Sequence, residues 1–169
     1  MVDDTPMEMA HDDALEAKQE FDEAKMLMSM AAGLNASAEV LESIGFDEAA
    51  KVASAAASST SAAAATDIQQ GLDLAMAASQ WKMVADDLAE QAKAQGGAYA
   101  ADARADKIEG ELQKDSMSES ERTTAQVQAA RERATEDVLG RRAAEMGIEA
   151  KSDADLAQTL EQAARNLGD

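Results

Sequence analysis

The chain of 169 residues sets 34 Asp and Glu against 15 Lys and Arg, a net charge of −19 and a pI near 4.2. That balance excludes nucleic acid as a partner, because phosphate needs a basic face to neutralise it, and it disfavours anionic membrane surfaces. With no cysteine, disulfides, iron–sulfur clusters and thiolate zinc sites are excluded as well.

The length suits one domain, or one domain with a helical arm. Leu, Ile, Val and Phe together number 24, a share that with this charge borders on disorder. Alanine, the best helix former, numbers 41. The expectation is an all-α extended bundle of about five to six helices, with a thin core completed by self-association. The acidic excess points to a salt-adapted, halophilic setting, where counter-ions screen self-repulsion.

The opening stretch MVDDTPMEMAHDDALEAKQE is acidic and has no apolar core segment, so no Sec-type signal is read there. No run is apolar enough to insert in a membrane. The default compartment is the cytoplasm, with signal-less export or a place in a virion left open.

A first helix is expected from Pro6 to Ala32, stopping near Gly33 and Asn35. Within it Met7, Ala14, Phe21 and Met28 recur every seven residues, and Ala10, Ala17, Ala24 and Ala31 lie three residues further on. These two rows read as a coiled-coil-like seam with alanine at alternate layers, which lets a partner helix approach closely. Phe21 and Met28 are assigned to the core; Met26 and Met30, on another side, form an adaptable face for a partner. Clustered thioethers near His11 also suit Cu(I), but Met26, Met28 and Met30 do not converge on one helix face. Glu8 and His11 match the Glu-x-x-His ligand pair of di-iron bundles. A single histidine does not complete such a site, so no metal and no cofactor is assigned, and Glu8 and His11 remain the only candidates.

A short helix, SAEVLESIG, is expected to close at Gly45, and the chain restarts with Asp47 as a candidate N-cap. Residues 52–66, VASAAASSTSAAAAT, hold no charge. They read as a close-packed central helix crossing at Ala56, Ser59 and Ala63, or else as a flexible Ala/Ser linker. From Thr66 to Gln95, Leu74, Trp81 and Leu88 are spaced by seven beside Ala78, Ala85 and Ala92, giving a second seam that stops at Gly96-Gly97. A helix weakened by Gly110 follows. Ser118 to Glu121 form a capping box for a helix ending at Gly147, and Ser152 opens a last one ending at Gly168.

Charge divides the chain. Residues 1–97 form an acidic hairpin region without arginine around the Ala/Ser-rich helix, and residues 98–169 carry all seven arginines. Arg133, Asp137, Arg141 and Glu145 follow each other at i, i+4 spacing, which gives local ion pairs on a solvated face or a helix that docks on acidic surface.

The stretch LESIGFDEAAKVASAA resembles the first-helix turn of ubiquitin-associated domains, but no third helix can be placed. Trp81-Lys82-Met83, and Tyr99 with Ala103, lack the signals of helical proteins exported by type VII systems. No family is identified. One histidine, no cysteine and no glycine-rich phosphate loop leave catalysis without support. The expected function is that of a non-enzymatic structural or scaffolding subunit of a homo-oligomer, filament or virus-like particle, its partner being itself or another helical protein. The alternatives are an adaptor or chaperone using the Met-rich face, and a metal-storage protein using Glu8 and His11.

Overall fold

The structure is a computed structural model and describes residues 5–114 and 117–168. It is all-α, with three long helices: α1 (Pro6–Ser43), α2 (Asp47–Leu112) and α3 (Glu119–Gly168). Five or six helices are not formed, because Gly33, Gly96, Gly97, Gly110 and Gly147 all lie inside helices. An interior glycine costs only about 1 kcal/mol relative to alanine, too little to stop a helix whose side chains are packed on both sides of it.

Gly45 is the interior glycine that stops a helix. It has φ +82°, and the Phe46 N–H donates to the Leu41 carbonyl while the Gly45 N–H donates to Glu42. This is the Schellman closure, in which a left-handed residue satisfies the last carbonyls of the helix. Capping boxes open two of the helices, the expected one at Ser118 and a second at Thr5. Thr5 and Glu8 exchange side-chain and backbone hydrogen bonds at the start of α1, with Pro6 in the first turn, and Ser118 and Glu121 do the same at α3.

The chain packs as two units that interleave in sequence. Unit 1 comprises Met1–Lys82 with Ala154–Asp169, and unit 2 comprises Met83–Asp153. In unit 1, α1 and the first part of α2 form an antiparallel pair, and the end of α3 joins them as a third helix. Ala17, Leu74 and Ala164 make one core layer, a residue from each helix. The pair is otherwise closed by small residues. Ala17, Ala24 and Ala31 of α1 and Ala50, Ala57 and Ala64 of α2 are buried at heptad spacing, and Gly71 continues the α2 row.

The alanine row of α1 is therefore the seam, but its companion row is not the expected one. Asp13, Glu20, Leu27, Leu34 and Leu41, three residues after each alanine, turn inward and are buried or half-buried. Met7 is exposed, as are Phe21 (38 %) and Met28 (50 %). The length of the helix decides this. Carried on to Ser43, the Met7–Phe21–Met28 row runs into Asn35 and Glu42, whereas the other row runs into three leucines. Burying the leucine row removes more apolar surface from water, and Asp13 and Glu20 are carried inward with it.

Two further expectations shift in the same way. Ala56 is half-buried and Ser59 and Ala63 are exposed, while Ala57 and Ala64 occupy the seam. In the second seam Leu74 and Trp81 are buried in unit 1, and Leu88 in unit 2 is 41 % exposed.

Unit 2 is an antiparallel pair of helical segments. Val84, Ala94, Ala101 and Ala105 of α2 and Ala125, Ala129, Ala143 and Ala150 of α3 are buried. Two glycines mark close approaches in it: at Gly147 a methyl group would stand 2.6 Å from Gln91 Nε2, and at Gly97 one would stand 2.8 Å from Leu139 Cδ1. The absence of a side chain is what seats that leucine.

Candidate functional site

The surface most at odds with the rest of the chain is the outer face of α2 in unit 1. Across residues 52–66 it carries no charge, and Val52, Ser54, Ala55, Ser58, Ser59, Ser61, Ala62, Ala63 and Ala65 are all exposed. It stays helical because alanine dominates it and because the hydroxyls fold back on the helix. Ser58 donates to the Ser54 carbonyl, and Ser59 and Thr60 both donate to that of Ala56.

The geometry explains why Ala63 is open and Ala56 only half-buried. Ala56, Ala63, Gln70 and Ala77 form one heptad row on α2. Ala77 is fully buried, and Gln70 lies against Gly168 at the end of α3, where a methyl group would meet its Nε2 at 3.2 Å. Two turns beyond that point the row carries on, with Ala63 exposed. On the neighbouring helix Met26, Met28 and Met30 are each half or more exposed, as are Val40, Ile44 and Phe46 near the turn.

A second constellation lies deeper in unit 1. Trp81 of α2 donates its indole N–H to Glu161 Oε1 of α3 at 2.5 Å. Arg165 stands 3.5 Å from the other oxygen of Glu161, whose side chain is only 18 % exposed. Asp13 of α1 is 8 % exposed, and its Oδ2 is buried without a hydrogen-bond partner among the described residues. Burial, followed by the charges of Glu161 and Glu16, raises the Asp13 pKa to about 7, with Arg165 opposing and Asp12 adding to the rise.

One heptad on, Glu20 and Glu23 of α1 meet Asp67 of α2, with carboxylate oxygens within 4.8 Å of one another. Desolvation and then the charges of Glu23, Asp67 and Glu16 raise the Glu20 pKa. Among the described residues this trio has the spacing to hold a cation. Glu8 is engaged otherwise: it accepts from the Thr5 backbone and hydroxyl at 2.8 Å each, which lowers its pKa, and Glu8 and His11 both lie on exposed helix surface.

No family model, curated protein or solved structure matches the chain.

In unit 2 the arginines act across the helix pair. Arg133 of α3 bonds to Asp102, Asp106 and Glu109 of α2 as well as to Glu136. Arg104 pairs with Glu132 and Arg142 with Glu90. The sequence spacing singled out Asp137 as the partner of Arg133 and Arg141. Instead Arg133 reaches Glu136, three residues on, and Arg141 donates to the Asp137 backbone carbonyl. Four carboxylates on one guanidinium hold Arg133 firmly protonated. An apolar cleft of about 350 Å³ lies beside Gly97 and Leu139, rimmed by Glu90, Lys93 and Arg142.

Of the residues singled out by spacing, Leu74 and Trp81 come together with α3 in the unit 1 core. Phe21 lies over Gly71, and Met26, Met28 and Met30 stand at the surface. Asp13, Glu161 and the Glu20–Glu23–Asp67 trio went unrecognised in the sequence. The signal that finds two of them is phase: Asp13 and Glu20 sit three residues after an alanine of the row, as do Leu27, Leu34 and Leu41.

Proposed function

We propose that the chain is a non-enzymatic structural or scaffolding subunit that works by helix–helix self-association. A helix of a second copy would cover the face of α2 that α3 leaves open. The observation that supports this reading is the continuity of the Ala56–Ala63–Gln70–Ala77 row, covered at Ala77 and bare at Ala63.

Charge selects the occupant. A chain of net −19 repels its own copies through most of its surface, and the segment 52–66 offers them a face free of that repulsion. Small side chains permit close approach of a further helix, and the exposed methionines of α1 offer an adaptable surface elsewhere on the same unit. Concentrated salt would favour association by screening the remaining charge.

Size-exclusion chromatography with light scattering, at low and at multi-molar KCl, tests this. A helical assembly that forms or grows with salt is expected, and Ala63→Glu should return it to the monomer. A wild-type chain that stays monomeric at every salt concentration would overturn the reading. It would favour the second one, an adaptor that binds another protein through Met26, Met28 and Met30.

A further inference from the structure

Asp13 is placed where a heptad seam ordinarily holds a leucine. It lies one turn before the Ala17–Leu74–Ala164 layer, at the level where Trp81 and Glu161 meet. Burying an ionised carboxylate without a hydrogen bond is strongly unfavourable, and facing a second carboxylate makes it more so. Glu161 has the Trp81 indole N–H and the Arg165 guanidinium. Asp13 Oδ2 has no such partner among the described residues.

We propose that Asp13 is a proton-operated latch on the contact between α1 and α3 in unit 1. With its proton on, Asp13 is a small neutral group that fits the seam. With its proton off, it confronts Glu161 across the seam, and the N-terminal turns of α1 loosen from α3. Every element around it takes part. On α1, Asp12 and Glu16 add to the repulsion, on α3 Glu161 adds and Arg165 opposes, and α2 contributes the Trp81 indole that holds Glu161 in place. The latch stands independently of self-association, because none of these residues lies on the open face of α2.

Trp81 is the single tryptophan of the chain, so its fluorescence reports on this layer alone. The experiment is thermal melting and tryptophan emission of the full chain between pH 5 and pH 8.5, at fixed high ionic strength so that exposed carboxylates are screened. For the wild type, the melting temperature is expected to fall by about 5 °C or more from the acid to the alkaline end, with a change in Trp81 emission over the same range. Asp13→Asn should abolish most of both changes and keep the higher melting temperature at alkaline pH. Glu161→Gln keeps an acceptor for the indole while removing the opposing charge, and should move the midpoint to lower pH. Asp13→Asn with the same pH profile as the wild type would overturn the proposal, as would Glu161→Gln with an unmoved midpoint.

Discussion

The Phe21 ring closes over Gly71: a methyl group at residue 71 would stand 3.0 Å from Phe21 Cε1 and 3.2 Å from the Ala17 carbonyl oxygen. The α2 backbone therefore approaches α1 closely at this layer, and a methyl group at residue 71 needs its neighbours to shift. Gly71→Ala should destabilise the fold by about 1–3 kcal/mol through overpacking, even though alanine is the better helix former. Chemical denaturation of the variant checks this. A stability equal to or above the wild type would mean that the ring swings aside freely.

The seam alanines and the open-face alanines should respond differently to the same change. Ala57→Leu, inside the α1–α2 seam, is expected to cost about 1–3 kcal/mol. Ala63→Leu, one face away and exposed, should leave the monomer's stability within about 0.5 kcal/mol of the wild type while altering self-association. Melting and light scattering on both variants separate the two roles.

Trp81→Phe removes the only hydrogen bond that Glu161 receives from an indole and leaves its mostly buried carboxylate short of a donor. A loss of about 1–3 kcal/mol is expected from that unmet group, together with the smaller side-chain volume. Urea denaturation followed by circular dichroism measures it.

The two carboxylates that turn inward on α1 set the direction of the pH dependence. The folded-state pKa of Asp13 is raised to about 7, above its ordinary value of 3.8, so the folded chain binds the extra proton between those values. Stability is then full below about pH 4 for this group and declines as pH rises toward 7, by at most about 1.4 kcal/mol per pH unit. Glu20 contributes in the same sense. The caps oppose them, since the pKa values of Glu8 and Glu121 are lowered by the hydrogen bonds they accept. Their contribution is present above the ordinary glutamate pKa and is lost as pH falls through the lowered one. Stability should therefore peak at mildly acid pH, which a melting series at constant salt will show.

In unit 2 the guanidinium of Arg133 is shared among Asp102, Asp106, Glu109 and Glu136. Arg133→Ala should lower the melting temperature most at low ionic strength, where the four carboxylates then repel one another unscreened. The deficit should shrink in molar KCl. An equal deficit at both salts would point to lost packing by the arginine stem.

How much of this was legible in the sequence depends on length and phase. Helical character followed from composition, and the alanine row of α1 from its spacing of seven. The companion row did not, because ending the helix at Gly33 hides Asn35 and Glu42 on one row and Leu34 and Leu41 on the other. Glycine reads as a stop at Gly33, Gly45, Gly96-Gly97, Gly147 and Gly168, yet only Gly45 takes a positive φ, and Gly71 and Gly97 mark close approaches. Those approaches depend on Phe21 and Leu139, which are distant in sequence, and no local pattern names them. The Arg133 cluster was hidden for the same reason, since three of its four partners lie on another helix.

A core assembled chiefly from single methyl groups also has a thermal consequence. Each seam alanine withdraws little apolar surface from water when the chain folds, so unfolding re-exposes little of it. The heat-capacity increment should fall below the usual 12–15 cal/mol/K per residue or so, and the free energy of unfolding should vary only gently with temperature. Differential scanning calorimetry would then find a broad, shallow stability curve, with cold giving up little of what warmth gains.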